Sequence, residues 1–293
     1  MGNITYYFST PMCESFPIVI FCSGSTSRET VTSIYPIHHY FWENFSDIGV
    51  GWVTLEHSWI AIGYVHRDHF MKYYTRTQRL HDHQQIIAHL LQKPPKGWNG
   101  KFIFFGVSEG GCLVTALTEA YTDQTLATIN ASGANGWNWP TEVWNFLENM
   151  RETFHNHAPW YFRLRGTLPD WCPGSLDLRW PTTRAECNQI LAEMLQNPVP
   201  NRTWIGMSYR YHADAIRWPK TNFSKLKTPY LVIAGDQDPA IGSSNAFVQQ
   251  AKKSGVNITY LRFKGVGHQV GREPKAIESI RSWLQTVLAA SPE

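Results

Sequence analysis

The stretch Lys101-Phe102-Ile103-Phe104-Phe105-Gly106-Val107-Ser108-Glu109-Gly110-Gly111 joins two different patterns. Its first half is a continuous apolar run closed by glycine, as in a strand buried on both faces. From Glu109 to Tyr121 the apolar residues Leu113, Val114 and Leu117 return at helical spacing. A serine between strand and helix lies on a sharp turn that exposes its hydroxyl. Glycines two before and two after leave room for neighbouring backbone. The helix that begins there points free N–H groups at any negative charge developing beside the serine. Ser108 is therefore the candidate nucleophile.

Similar apolar runs lie on either side. Phe16–Cys22, Gly49–Leu55, Leu126–Ile129 and Tyr230–Ala234 read as core strands, and the more alternating Asn257–Phe263 as a strand nearer the sheet edge. Helical patterns separate them: 28–45 with a break at Pro36, 70–92, 109–121, 244–253 and 274–289. Strands alternating with helices predict an α/β fold, a mostly parallel central sheet with helices on both faces. Residues 137–218 break the rhythm, with eight of the 13 tryptophans and no convincing strand. Two helices are expected there, over 141–154 and from a capping box at Thr183-Arg184-Ala185-Glu186 to about Asn197. The domain reading is a core of 1–136 and 219–293 with a helical lid inserted over 137–218.

Composition excludes several classes. The chain has 293 residues, 43% of them hydrophobic and 17% charged, which excludes a disordered chain. A net charge of +3 is too balanced to make nucleic acid the default partner. No apolar run is long enough to span a membrane. The five cysteines, Cys13, Cys22, Cys112, Cys172 and Cys187, are scattered and read as reduced thiols, with a Cys172–Cys187 bridge as the alternative. Residues 1–8 carry no basic or long apolar leader pattern. The expectation is a cytoplasmic protein, or a secreted one whose leader has been removed.

A serine hydroxyl needs a base within hydrogen-bond reach, and the base needs an orienting acid. Of 12 histidines, His268 alone lies in a glycine-flanked loop, Gly265-Val266-Gly267-His268, between the last strand and the last helix. The others read as surface or packing residues. The acid is expected from the loop after Tyr230–Ala234, where Asp238 is favoured and Asp236 is the alternative. Two donors are expected for a developing oxyanion: the N–H of Glu109, and the N–H of Ser25 in the loop Ser23-Gly24-Ser25-Thr26.

The order Ser108, Asp238, His268, with an insertion before the last two, resembles the α/β-hydrolase superfamily. FFGVSEGG, AGDQDP and GVGHQVG are the strongest matches. The resemblance covers 16–289 and implies a serine hydrolase with a helical lid. It departs from the family in its oxyanion loop, in shortened N-terminal strands, and in a lid of unfamiliar sequence.

The expected function is cleavage of a carboxylic ester of a small-molecule acyl substrate, through an acyl-enzyme. Trp137, Trp139 and Trp144 are the candidates to line a hydrophobic acyl or aryl pocket. An aminopeptidase or amidase, with Glu142, Glu148 or Glu152 gripping the amine, and a thioesterase stay open on the same residues. So does a non-catalytic binding protein. Arg163, Arg165 and Arg179 are weaker candidates for a substrate carboxylate. The mechanism calls for no cofactor and no metal. Lid aromatics leave a homodimer open.

Overall fold

Along the strand before Ser108, Phe102 and Phe104 face one way, and Ile103 and Phe105 the other. The computed structural model buries both sets in separate apolar clusters. It describes residues 4–26, 31–56, 60–61, 64–133, 138–157 and 181–290. Seven strands form the sheet: β1 Tyr6–Ser9, β2 Phe16–Cys22, β3 Gly51–Leu55, β4 Trp98–Val107, β5 Thr125–Ala131, β6 Tyr230–Gly235 and β7 Ile258–Phe263. Their order is β1-β3-β2-β4-β5-β6-β7. Only the β1–β3 pair in this sheet is antiparallel. The alternating strand, β7, is the edge, and its residues are only partly buried.

Helices α1 Tyr35–Phe45 and α9 Pro274–Ala290 cover one face, where Phe41, Phe45, Ile277, Ile280 and Leu284 meet Phe21, Trp52 and Phe105. On the other face lie α3 Arg76–Gln92 and α4 Gly110–Ala120, with Ile86, Ile87, Leu90, Leu113 and Leu117 against Ile18, Ile20 and Phe104. There, α8 Ile241–Lys253 covers β6 through Phe247, Val248 and Ala251.

Two helix expectations change. The first helix begins at Tyr35, with Pro36 in its first turn, because a proline lacking an N–H is tolerated there and not in a helix interior. The reading over 70–92 divides into α2 Arg67–Tyr73 and α3. Thr75 takes an extended conformation, and its side chain accepts the N–H of Gln78 as an N-cap, which competes with continuing the first helix. Tyr74, Arg76 and Arg79, on either side of this break, all reach the Glu109 carboxylate.

Between β5 and β6 the chain forms α5 Trp139–His157, α6 Arg184–Gln196 and α7 Tyr209–Ile216. The capping box at Thr183 and Glu186 is formed. A two-stranded ribbon, Thr203–Trp204 with Met207–Ser208, replaces the expected absence of β structure. Two residues per strand are too few to show a period in sequence. Val143, Trp144, Leu147, Leu191 and Trp204 give this insertion its own apolar cluster. No helix among the described residues is long and apolar enough to cross a membrane.

Candidate active site

Ser108 has φ of 54°, the left-handed conformation expected of a sharp strand-to-helix turn. Its N–H donates to Ala131 O on β5 at 2.9 Å, which anchors the turn to the sheet. The flanking glycines are there for space. A Cβ at Gly106 would lie 2.3 Å from Gly110 O, and one at Gly110 would lie 2.0 Å from Cys22 O. No side chain fits at either position.

His268 reaches this turn from the loop between β7 and α9. Its Nε2 lies 2.9 Å from Ser108 Oγ, and its Nδ1 lies 2.8 Å from Asp238 Oδ1. The same carboxylate oxygen accepts the N–H of Ala240 at 2.8 Å. Burial pushes the Asp238 carboxyl up. The hydrogen bond and charge of His268, with the Ala240 N–H, outweigh burial and hold it below the usual carboxylate value. Asp236 serves the backbone instead, accepting the N–H of Gly265 at 2.7 Å. The structure therefore brings Ser108, His268 and Asp238 into one hydrogen-bonded chain and leaves Asp236 outside it.

Glu109 sits at the N-cap of α4, where first-turn N–H groups have no acceptor within the helix. Its side chain turns inward and is buried. Arg79 Nη1 meets it at 2.6 Å and Arg76 Nε at 3.1 Å, while the hydroxyls of Tyr74 and Tyr211 donate to it at 3.0 and 2.5 Å. Burial raises this carboxyl, but Arg79 and Arg76 overcome it, and the pKa falls below the ordinary range. A bare carboxylate one residue from Ser108 would oppose any negative charge developing beside its hydroxyl. Two guanidiniums more than offset its charge.

A cavity of about 520 Å³ opens over Ser108, with Ser25, Glu109 and His268 also in its wall. Trp139, Val143, Phe146, Ile205 and Met207 give it an apolar side. Trp139 stacks on Arg76, 4.4 Å from ring centroid to guanidinium carbon, and donates to His212 Nδ1 at 3.3 Å. Trp144 is not brought to the cavity: it packs inside the insertion's own cluster, because an interior position on α5 is needed to hold that helix to α6. Trp137 lies outside the described residues, as do Arg163, Arg165, Arg179 and Cys172. Cys187 is a buried free thiol. Glu142 lines the cavity, with Ser243 Oγ donating to it at 2.9 Å and Arg76 3.9 Å away. Glu148 is exposed, and the side chain of Glu152 lies outside the described residues. No cluster of metal-binding side chains occurs among the described residues.

The sequence reading missed Tyr74, Arg76, Arg79 and Tyr211. A signal existed for two of them. Arg76 and Arg79 continue, toward the N-terminus, the stripe of His83, Ile86, Ile87 and Leu90 that α3 buries. Arginine in a buried stripe requires a partner.

Buried histidines, His212, His83 and His38, set an acid limit on the fold. His212 donates from Nε2 to Trp204 O at 2.9 Å and accepts at Nδ1 from Trp139. His83 donates from Nδ1 to Arg79 O at 2.7 Å. Burial pushes each of the three down to about 4 from 6.5. Between these values the unfolded chain binds protons that the fold refuses, so stability falls as pH drops. Each histidine removes on the order of 3 kcal/mol across that window. Urea unfolding at pH 7.5, 6 and 5 measures the slope, and His83→Asn is expected to flatten it by about one proton. A slope unchanged in the variant would refute this assignment.

Comparison with known proteins places this geometry. A family model described as serine aminopeptidase, S33, matches residues 68–275. No curated protein matches the chain in sequence. Among solved structures, Est1E from Butyrivibrio proteoclasticus superposes with a TM-score of 0.57 at 18% identity, over 98% of this chain and 96% of that one. A monoacylglycerol lipase from Paleococcus ferrophilus gives 0.58 at 15% identity, over 97% and 99%. An acylaminoacyl peptidase from Pyrococcus horikoshii gives 0.56 at 14% identity, over 99% of this chain and 40% of that one. With the family match spanning more than half its length, the chain belongs to the serine aminopeptidase S33 family of α/β-hydrolases, and it is a hydrolase.

Proposed function

We propose that the protein hydrolyses carboxylic esters bearing an apolar acyl or aryl group, through an acyl-enzyme on Ser108. The observation that carries this reading is the unbroken chain from Ser108 Oγ through His268 to Asp238 Oδ1, at 2.9 and 2.8 Å. His268 Nε2 takes the hydroxyl proton as Oγ attacks the carbonyl carbon. Asp238 accepts the Nδ1 proton bond and stabilises the imidazolium. The N–H groups of Glu109 and Ser25 receive the oxyanion, and each such donor contributes about 2.7–4 kcal/mol. The imidazolium then protonates the leaving alcohol, and water releases the acid by the same steps in reverse roles.

The apolar side of the cavity favours a hydrophobic acyl or aryl group over a charged one. Aminopeptidase action would need a carboxylate available for the substrate ammonium. The described carboxylates in the cavity wall are Glu109, held by Arg76 and Arg79, and Glu142, engaged by Ser243 and Arg76. Ester cleavage needs no such grip. The test is labelling by a fluorophosphonate together with rates on p-nitrophenyl esters, thioesters and aminoacyl p-nitroanilides. Labelled protein with esters fastest is expected. No labelling of folded protein would refute the reading, and aminoacyl amides fastest would replace it with the peptidase.

Phe146 is the exposed aromatic at the cavity wall. Phe146→Ala is expected to raise KM about tenfold for a p-nitrophenyl octanoate and less than about twofold for the acetate, the loss of roughly 1.4 kcal/mol of apolar contact. Equal losses for both chain lengths would remove Phe146 from the acyl path.

A further inference from the structure

The loop that carries Ser25 belongs to no helix or strand, and Ser25 itself is exposed. It nonetheless passes very close to the nucleophile, since a Cβ on Gly24 would lie 3.1 Å from Ser108 Cβ. A loop so placed needs something to fix it, and both its ends are tied. Arg79 Nη2 donates to Ser23 O at 2.6 Å and to Ser23 Oγ at 3.2 Å. The N–H of Thr26 donates to the Tyr74 hydroxyl at 3.1 Å. Both tethers end on one atom. Arg79 Nη1 and the Tyr74 hydroxyl donate to Glu109 Oε2 at 2.6 and 3.0 Å.

We propose that Tyr74 and Arg79 are positioning residues through which the Glu109 carboxylate fixes the Ser23–Thr26 loop at a set distance from the Ser108 turn. The proposal rests on the acyl-transfer reading, in which this loop and Glu109 each supply one oxyanion donor. The chemistry of the two tethers suits the task. A tyrosine hydroxyl gives its one proton to the carboxylate and keeps lone pairs for an N–H. A guanidinium is a planar fork whose two ends hold a fixed separation, so one arginine can gauge the gap between carboxylate and loop carbonyl. The carboxylate belongs to the residue whose own N–H is the other donor. The two halves of the oxyanion site therefore share one reference point. Donors aimed at an oxyanion lose much of their effect when displaced by a fraction of an ångström.

Tyr74→Phe separates positioning from packing. The ring is stacked on Phe70 and Tyr211, at centroid distances of 4.6 and 5.5 Å, and phenylalanine keeps those contacts. The deleted oxygen frees the Thr26 end of the loop. Expected are a fall in kcat of about 30-fold, KM within about twofold, and the same 30-fold fall in the rate of fluorophosphonate labelling, as for loss of most of one oxyanion donor. Affinity for a trifluoromethyl ketone, which mimics the tetrahedral adduct, should fall by the same factor, while the product acid binds as before. Tyr230→Phe is the matched control. It removes a buried hydroxyl bonded to Thr115 at 2.8 Å, on β6 and outside the hydrogen bonds that tie the loop. It should lower the melting temperature comparably with kcat unchanged.

A Tyr74→Phe protein with wild-type kcat and labelling rate would overturn the proposal while leaving the hydrolase reading intact. So would equal kcat losses in Tyr74→Phe and Tyr230→Phe. Wild-type protein that takes no fluorophosphonate and cleaves no ester would overturn the hydrolase reading, and the positioning role with it.

Discussion

Ser108→Ala is expected to lower kcat/KM for the proposed ester hydrolysis by about 10⁶-fold and to abolish fluorophosphonate labelling, with the melting temperature nearly unchanged. The size follows from what the substitution removes. Without Oγ there is no covalent intermediate, and His268 Nε2 has no hydroxyl to deprotonate. What would remain are the proposed oxyanion donors and the cavity, together worth about 10³–10⁴ over water. His268→Ala in the same background should add almost nothing, because members of a unit are not additive. Asp238→Asn should cost about 10⁴-fold in kcat, since an amide can hold the wrong imidazole tautomer. The buried Asp238 stays ionised through the working pH range, its carboxyl held below the ordinary value by His268, so activity should not depend on its titration near neutrality. Ser108→Ala protein that keeps a tenth of the wild-type rate on a purified ester would end the assignment of Ser108 as nucleophile.

The parts of this site that were legible in sequence are those fixed by local backbone demands. Gly106 and Gly110 mark the turn because backbone carbonyls stand where a Cβ would be. His268 was recognisable by its glycine-flanked loop after the last strand pattern. The strands could be placed because burial on both faces demands continuous apolar runs such as Phe16–Cys22. The partners in the buried charge cluster were not legible, because the pairing runs across distance, although Arg76 and Arg79 in a buried stripe signalled that partners must exist. Arg79 and Glu109 are 30 residues apart, and Tyr211 and Glu109 are 102 apart. No local pattern announces such contacts. The break at Thr75 was missed because apolar periodicity runs through it on both sides, and an N-cap threonine looks the same as any other. Trp144 was misplaced for a related reason. Aromatic content shows that rings will be buried, but not whether a cavity or a helix interface buries them.

Gly235→Ala should lower kcat about 100-fold without touching Ser108, His268 or Asp238. A Cβ there would lie 2.0 Å from Val266 O and 2.6 Å from Gly267 O, both backbone atoms with nowhere to rotate. The end of β6 and the His268 loop are joined at this place. Gln237 N–H donates to Val266 O at 3.0 Å, and Asp236 N–H donates to Phe263 O at 3.0 Å. The methyl group must push the loop outward by about 1 Å or more to reach ordinary contact distance. The loop carries the base and the strand end carries the acid, so one methyl group strikes both hydrogen bonds of the triad. A 1 Å misplacement of catalytic groups costs about 100-fold in kcat. Overpacking of the joined backbones should cost about 3 kcal/mol of stability. Gly255→Ala separates this clash from the cost of altering a glycine. Gly255 has φ of 75° with nothing within 4 Å of where a Cβ would lie, so its substitution should cost about 1 kcal/mol of backbone strain and leave kcat alone. Equal kcat in the two variants would mean that the His268 loop can yield at Gly235 without moving its imidazole. The coupling between the strand end and the base would then be too loose for the steric argument to hold.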